Sequence, residues 1–310
     1  MKVVTITLNP SIDVTLCLDA LDPDDVNRAK EQRELSAGKG VNVSRALHAM
    51  NVPTHVLGFA GKENVLSYER SLQAAEIPCT LVRTKGAVRR NITLCLADGT
   101  SYKINTAGSP VDRRNIHDLY AAISGVLTRE DFCVLSGSLP PDFGKDDFFD
   151  LLNHISAWGA RLVLDVDFLA LADLARIHPW LIKPNVHELR RMTGAGLEGS
   201  ELCRAAQAAQ AVGVDIVLLT MGENGLIAVT EEATYTASVP RVPVCSTVAA
   251  GDTTLAGFLA AEMGGLKRAE TVHFAAACGV ARVAKANDTP VTVQDTQVYS
   301  GQIVVKSTTM

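Results

Sequence analysis

Short apolar runs alternate with amphipathic segments along most of the chain. The runs THVLGFAG, DFCVLSG and RLVLDVD are bounded by turn residues, and helical patterns such as YERSLQAAEI and DDFFDLLNHISAWG lie between them. Strands that are buried on both faces read as continuously apolar, and strands that alternate with helices form parallel sheets. The pattern predicts an α/β protein with a mostly parallel central sheet, in which strand and helix alternate from about residue 55 to the end.

Two segments, residues 11–35 and 88–107, depart from this alternation. Their strand-like runs alternate polar and apolar residues, and the Asp98-Gly99 pair in the second segment predicts a hairpin turn. We expect the two segments to form a small β-sheet that projects as a lid. The sequence has neither a Pro/Ser-rich linker nor an internal repeat, so it predicts one domain over residues 1–310 with the lid strands inserted into it.

Composition and charge narrow the classes of partner. Hydrophobic residues make up 47% and charged residues 20% of the chain, which is typical of a folded, soluble protein. The formal net charge of −5 argues against nucleic acid or an anionic membrane as a partner, so any phosphate site must be local. Seven scattered cysteines without a Cys-x-x-Cys spacing, a start unlike a signal peptide, and no apolar run of about 18 residues favour the cytoplasm.

The stretch TVAAGDTTLAGFLAAEM places a turn of small residues directly before an apolar helix. The first backbone N–H groups of a helix are unpaired and carry partial positive charge, so a phosphate can approach the backbone at Ala249, Ala250 and Gly251. Asp252 would then be placed to accept a proton from an attacking hydroxyl group. The alternative is that Asp252 is only a helix cap, and this stretch alone does not decide between the two.

A second stretch, LSAGKGVNVSRALHAM, adds candidates for ligand binding. Gly38 and Gly40 flank Lys39 and would allow a ligand close to the backbone, while the amide of Asn42 can both donate to and accept from sugar hydroxyls. The stretch is neither a Walker A loop, because Gly follows the Gly-Lys pair, nor a G-x-G-x-x-G dinucleotide fingerprint.

Together with WLIKPNVHEL, these stretches make the chain resemble the ribokinase-like, PfkB-type carbohydrate kinases, and within them the sugar-phosphate branch. The segments that carry the resemblance follow the family's order over nearly the whole chain: TLNPSID, DDVNRA, AGKGVNVSRAL, SGSLP, LIKPNVHEL, LTMGENG and TVAAGDTTLAGF. The resemblance implies a three-layer α/β/α sandwich with a β-sheet lid. It also implies ATP-dependent phosphoryl transfer to a ketohexose phosphate, with fructose 1-phosphate favoured.

The resemblance further implies the site residues. For catalysis these are the base Asp252 and the anion-hole residues Ala249, Ala250 and Gly251. For the sugar phosphate they are Asp13, Arg28, Gly38, Lys39, Asn42, Arg89, Asn91 and Ser138. For the nucleotide they are Lys183, Asn185, Glu188, Thr220, Gly222, Gly225 and Asn287, with Asn185 and Glu188 also organising Mg²⁺ through water. The expected cofactors are ATP, Mg²⁺ and, as a further option, a monovalent cation, and the expected assembly is a homodimer through the lid strands.

Several alternatives stay open at this level. The acceptor could be tagatose 6-phosphate or fructose 6-phosphate, or an unphosphorylated sugar or nucleoside, in which case Arg89 and Lys39 would be dispensable. A non-catalytic sugar-phosphate sensor would have no need of the base Asp252. Departures from the family pattern bear on the substrate: Asp167 and Phe168 replace a usual Ser-Gly, and Asp288 replaces a usual Gly.

Overall fold

A computed structural model describes residues 1–194, 199–286 and 289–309 of the chain. The strands in this part are β1 (Val3–Thr7), β2 (Ser11–Leu18), β3 (Glu31–Ala37), β4 (Thr54–Gly61), β5 (Cys79–Thr84), β6 (Arg89–Leu96), β7 (Ser101–Asn105), β8 (Phe132–Ser136), β9 (Arg161–Asp165), β10 (Leu181–Ile182), β11 (Ile216–Thr220), β12 (Leu226–Val229), β13 (Ala233–Ser238) and β14 (Val304–Thr309). The helices are α1 (Lys39–Ala49), α2 (Val65–Ala74), α3 (Arg113–Val126), α4 (Lys145–Ala157), α5 (Leu171–Ile177), α6 (Val186–Thr193), α7 (Ser200–Ala211), α8 (Ala250–Met263), α9 (Arg268–Val283) and α10 (Val293–Ser300).

Ten strands form the central sheet in the order β14-β13-β12-β11-β10-β9-β8-β1-β4-β5. All pairings from β11 to β5 are parallel, which confirms the predicted α/β class. Buried apolar side chains form one large cluster with α3, α4, α6 and α7 on one face, and another with α1, α8 and α9 on the other. The sheet is thus the middle of three layers, as parallel sheets with helical connections require.

The prediction that strand and helix alternate to the end of the chain is wrong after β11. There β12 pairs antiparallel with β11, β13 with β12, and β14 with β13 at the sheet edge. The connections 221–225 and 230–232 are short turns, whereas a parallel crossover needs about a dozen residues or more. The chain therefore turns back on itself at each of these two connections.

The lid segments form a separate four-stranded sheet in the order β3-β2-β6-β7. The predicted hairpin at Asp98-Gly99 is confirmed, because β6 and β7 pair antiparallel on either side of it and Gly99 has a φ of 88°. Successive side chains of a strand point to opposite faces. In β2, Ile12 and Val14 pack into a cluster with α1 and α2, so the alternate residue Asp13 lies on the other face of the lid.

Helix α8 lies within one helical layer, packed between α1 and α9. Its buried residues include Leu255, Phe258 and Leu259, and burial extends around most of the helix. A helix that is apolar on all sides has to be buried. Its N-terminus with Asp252 is thereby held rigidly by two neighbouring helices.

Candidate active site

The candidate site lies where neighbouring parallel strands end. Ser136 ends β8, Asp165 ends β9, Lys183 follows β10, and Thr220 ends β11. The carboxyl ends of parallel strands share one edge of the sheet, and ligands of open α/β sheets bind there. The start of α8 reaches the same edge, because a Cβ added to Gly251 would lie only 3.2 Å from Lys183 Nζ.

Asp252 is held by a residue far away in the sequence. It lies in the first turn of α8, is 7% exposed, and accepts a hydrogen bond of 2.8 Å from Asn42 Nδ2 in α1. The N-cap of α8 is Ala249, and α8 has no side-chain cap. The carboxylate of Asp252 is therefore directed to Asn42 instead of capping its own helix.

The backbone before Asp252 is shaped for close approach by a ligand. Ala249 adopts a left-handed conformation with φ 59°, which costs a non-glycine residue about 1–2 kcal/mol. The N–H of Ala250 donates to the Thr247 carbonyl at 3.3 Å, and the first intrahelical bond runs from Thr253 N–H to Ala249. The N–H groups of Gly251 and Asp252 fall between these two bonds, where a helix has no acceptor of its own.

Burial tunes the acidity of Asp252. Desolvation raises the pKa of its carboxyl from 3.8 to about 6, with the nearby Asp165 carboxylate acting in the same direction. The hydrogen bond from Asn42 and the charges of Lys183 and Lys39 limit the increase. A carboxylate with this pKa is mostly ionised at neutral pH and yet basic enough to accept a proton.

The raised pKa predicts that Asp252→Asn stabilises the protein at high pH. The folded state holds the Asp252 proton more tightly than the unfolded chain, so ionising this carboxyl destabilises the fold as pH rises from about 4 to about 6. At about pH 8 we expect the variant to exceed the wild type in unfolding free energy by up to about 3 kcal/mol, from two pKa units at about 1.4 kcal/mol each. The advantage disappears near pH 4. Urea unfolding at both pH values measures it.

The exposed Asp118→Asn on α3 is the matched control for this prediction, and we expect almost no change in stability at either pH. An Asp252→Asn variant that is less stable than the wild type at about pH 8 would contradict the proposed cost of burying the charge.

Asp165 lies at the centre of the site and was not selected from the sequence. Its Oδ1 is 3.1 Å from Lys39 Nζ and 3.3 Å from Lys183 Nζ, while its buried Oδ2 has no hydrogen-bond partner among the described residues. An unpaired buried polar atom is costly unless something else satisfies it. An Asp directly after the apolar run RLVL was the available signal.

Lys39 joins this cluster from the start of α1. Its Nζ also lies 3.5 Å from Glu188 Oε1. Burial lowers the pKa of Lys39, but the carboxylates of Asp165 and Glu188 outweigh this effect and raise it above its ordinary value. The preceding Gly38 has a φ of 131°, and a Cβ there would lie 2.7 Å from Thr7 Cγ2. Only glycine lets α1 begin this close to β1.

Asn185 and Glu188 form a reciprocal capping box at the start of α6. Asn185 Oδ1 accepts the Glu188 N–H at 2.9 Å, and Glu188 Oε2 accepts the Asn185 N–H at 2.8 Å. Glu188 is only 7% exposed, so it is not a solvated helix carboxylate. With these oxygens engaged, Glu188 Oε1 is the atom of the pair best placed to act on a metal, through a water molecule.

The predicted nucleotide loop is attached to the same region. Thr220 N–H donates to the Pro184 carbonyl at 3.0 Å, next to Lys183 and Asn185. Gly222 and Gly225 both have positive φ, 59° and 85°, at the ends of a 3₁₀ turn over Gly222–Asn224. Positive φ favours glycine at both positions, and at Gly225 the close approach of the Ala237 carbonyl is a second reason.

Gly225→Ala is expected to destabilise the protein by about 2–4 kcal/mol, because a Cβ would lie 2.0 Å from the Ala237 carbonyl in addition to the strain of positive φ. Gly222→Ala is the matched control. It has positive φ but nothing within 4 Å of the added atom, so we expect a loss of only about 1 kcal/mol. Thermal unfolding of both variants compares the two losses, and equal losses would refute the clash.

The predicted sugar-binding residues of the lid form a hydrogen-bonded group. Asp13 Oδ1 accepts from Ser11 Oγ at 2.9 Å and from Asn91 Nδ2 at 3.0 Å, across the parallel β2–β6 pair. The Asn91 Oδ1 is buried without a hydrogen-bond partner in the described residues. Asp13 is partly exposed and can still accept hydrogen bonds from sugar hydroxyls.

Arg89 lies beside this group at the start of β6. Its Nε donates to the Asn9 carbonyl at 3.3 Å, and Asn9 Nδ2 donates to Ser138 Oγ at 3.1 Å. Burial lowers the pKa of Arg89, and the Asp13 carboxylate partly counteracts this effect. Asn9 thus links two predicted substrate residues, although it was not selected from the TLNPSID segment.

One predicted site residue, Arg28, is not brought to this cluster. Arg28 lies in the exposed loop of residues 19–30 between β2 and β3. Asn287 lies outside the described residues, as does Asp288. Within the described part of the chain, no three His, Cys, Asp or Glu side chains form a ready metal site. No described helix combines the length and apolar character needed to cross a bilayer.

Comparisons with known proteins agree with this architecture. Residues 2–294 match the model of the pfkB family of carbohydrate kinases. The chain is 31% identical to the 1-phosphofructokinase of Borreliella burgdorferi over 285 residues, covering 91% of this chain and 92% of that one. It is 34% identical to the 1-phosphofructokinase of Xanthomonas campestris over 267 residues, covering 84% of each.

Solved structures have the same fold. Phosphofructokinase-2 from Escherichia coli in complex with potassium superposes with a TM-score of 0.89 at 23% identity, covering 97% of this chain and 98% of that one. The same E. coli protein has also been solved with fructose-6-phosphate and in a tetrameric inhibited form.

Proposed function

Because the chain belongs to the PfkB family of carbohydrate kinases, we propose that it transfers the γ-phosphoryl group of ATP to fructose 1-phosphate, giving fructose 1,6-bisphosphate. The observation that carries this proposal is the buried Asp252, with a pKa raised to about 6, at the start of α8, where the N–H groups of Gly251 and Asp252 have no intrahelical acceptor. A proton acceptor next to an anion-binding helix terminus suits phosphoryl transfer to a hydroxyl group.

In the proposed mechanism, Asp252 accepts the proton of the attacking sugar hydroxyl through its carboxylate. The Asn42 amide donates to Asp252 Oδ2 and so orients the carboxylate before the substrate arrives. The N–H groups of Gly251 and Asp252 donate to the transferring phosphoryl group, where negative charge is spread over the equatorial oxygens. A fixed array of this kind needs no reorganisation during the reaction.

The lysines of the site neutralise phosphate charge in this proposal. Lys183 Nζ lies beside Gly251, and Lys39 Nζ shares the Asp165 carboxylate with it. Mg²⁺, when bound with ATP, supplies further charge neutralisation of the phosphates. The donors fit a metal held through water: Glu188 Oε1 and the unpaired Asp165 Oδ2 are both oxygen ligands of the kind Mg²⁺ prefers.

The sugar phosphate is assigned to the lid side of the site. Asp13 and Asn91 would bind hydroxyl groups, and Arg89 would bind the phosphate that the substrate already carries. An Arg fork matches phosphate oxygens in geometry and charge. Closure of the lid over the sugar would exclude water and limit hydrolysis of ATP.

The decisive assay measures ADP release with Mg²⁺-ATP and fructose 1-phosphate, fructose 6-phosphate, tagatose 6-phosphate, ribose or adenosine. We expect fructose 1-phosphate to be strongly preferred. Preference for another ketohexose phosphate would keep the kinase class and change the substrate. Turnover of ribose or adenosine alone would refute the assignment of Arg89 and Lys39, and no turnover with any of the five would favour the sensor alternative.

We also propose a single-domain cytoplasmic enzyme that forms a homodimer through the lid. The seven cysteines are free thiols, in keeping with a reducing compartment. Tyr102 and Ile104 on β7 are 47% and 51% exposed and lie in register with the partly buried Leu94 and Ile92, so the apolar face of the lid is exposed at its β7 edge. Exposed apolar patches mark interaction surfaces when they are contiguous. Sedimentation velocity on the intact chain measures the assembly directly.

A further inference from the structure

Arg282 is a buried cation that the proposed reaction does not use. It lies in the last turn of α9 and is 4% exposed. Its Nη1 donates to the Thr289 carbonyl at 2.7 Å, and its Nη2 donates to the carbonyls of Lys285 and Ala286 at 2.6 and 2.5 Å. Three backbone carbonyl oxygens from the loop after α9 therefore converge on one guanidinium group.

Converging carbonyl oxygens are also the ligands that replace the hydration shell of a potassium ion. The resemblance to the carbohydrate kinases implied a monovalent cation as a further option among the cofactors. Here, however, the carbonyls of Lys285, Ala286 and Thr289 already face a side chain that stays charged at every physiological pH. A second positive charge a few ångströms away would be repelled, so this group of carbonyls does not fit a bound monovalent cation.

The loop held by Arg282 is connected to the anion-binding turn. The carbonyl of Val283, the residue after Arg282, accepts the N–H groups of Cys245 and Ser246 at 2.8 and 3.2 Å. The segment that contains Cys245 and Ser246 continues directly into Thr247 and into Ala249, the strained residue before α8. Arg282 and Ala249 also line one cavity of about 270 Å³, together with Asn42, Thr253 and Thr289. A displacement of the loop after α9 would therefore also displace the turn at the start of α8.

We propose that Arg282 takes the place of a monovalent cation in this protein and makes its activity independent of potassium. It is a positioning residue: it draws the carbonyls of Lys285, Ala286 and Thr289 together and so keeps the turn before α8 in its anion-binding conformation. The effect on rate rests on the proposed kinase function. The effect on cation binding does not, because it depends only on the carbonyl group and the guanidinium.

The test compares potassium chloride with choline chloride at equal ionic strength, reading both the kinase rate and the thermal midpoint. For the wild type we expect rates within about twofold and the same midpoint in both salts. Arg282→Met keeps the length of the side chain but removes its charge. We expect this variant to lose at least about tenfold in rate in choline chloride, and potassium to restore part of the rate and raise the midpoint by binding the vacated carbonyls.

Lys285→Met is the matched control, because Lys285 Nζ also contacts the loop, at the Pro290 carbonyl (3.1 Å) and Asp295 (2.6 Å). It should lose stability without gaining a response to potassium. Arg282→Lys keeps the charge, so its rate and thermal midpoint should stay independent of potassium. If Arg282→Met does not fold, the potassium response of Arg282→Lys tests the proposal in its place.

A wild type that needs potassium, an Arg282→Met whose rate and midpoint ignore potassium, or an Arg282→Lys that responds to it would each overturn the proposal. If no substrate is turned over, the midpoints alone still test cation replacement, so its failure can be told apart from failure of the kinase assignment.

Discussion

Asp252→Asn is expected to lower kcat by about 10²- to 10⁴-fold, the usual contribution of a general base. The amide of Asn has nearly the shape of the carboxylate but cannot accept the hydroxyl proton, while the N–H groups of Gly251 and Asp252 belong to the backbone and stay in place. Binding of ATP and of the sugar phosphate should therefore change little. Steady-state kinetics and titration calorimetry on the same preparation measure the two effects separately.

The wild-type pH profile is the companion to this substitution. With a pKa of about 6, Asp252 should become protonated below that pH, so kcat/KM should fall by about tenfold per unit of pH on the acid side. Unchanged turnover in Asp252→Asn would exclude the base assignment. Normal binding with lost turnover would exclude the sensor alternative, because a sensor does not need a proton acceptor.

Arg89→Met is expected to raise the KM for the sugar phosphate by about 10²-fold, corresponding to about 3 kcal/mol for lost charge-assisted hydrogen bonds to phosphate. The effect should appear mainly in KM, since the phosphate already on the sugar is bound equally in the ground and transition states. Activity toward unphosphorylated fructose, however low, should not change. Initial rates over a range of both acceptors measure this difference.

Arg90→Met is the matched control for Arg89. Arg90 is the next residue of β6, so its side chain points to the opposite face of the lid, and it is exposed and 3.8 Å from Glu34. Removing an exposed pair of this kind typically has little effect. If Arg89→Met behaved like Arg90→Met, the phosphate of the substrate would have to be bound elsewhere, and an unphosphorylated acceptor would become the better assignment.

Local patterns predicted the elements of this fold well. Strands β4, β8 and β9 are covered on both faces of the sheet, so their sequences are continuously apolar. The lid strands expose one face to water, so their sequences alternate polar and apolar residues. The capping box of Asn185 and Glu188 is equally local, because residues three apart on a helix meet. The antiparallel end of the sheet was not predicted, since an apolar strand looks the same whichever direction its partner runs.

The site itself combines residues that no local pattern connects. Asn42 and Asp252 are 210 positions apart, and Lys39 and Asp165 are 126 apart, yet each pair forms a hydrogen bond. The motifs predicted most of the residue types needed but not their partners. Asp165 and Asn9 were missed because their importance lies in what they contact: two lysines in one case, Arg89 and Ser138 in the other.

By itself, the sequence determined the α/β class, the lid and the polar turn at Asp252, because periodicity, turn residues and helix ends are properties of neighbouring residues. Only the tertiary structure decided that Asp252 is buried beside Asn42 with a raised pKa, and that the chain next to Arg282 is hydrogen-bonded, through the Val283 carbonyl, to the segment before the same turn. The pKa of a carboxyl depends on its desolvation and on neighbouring charges, and both are set by which distant segments pack together.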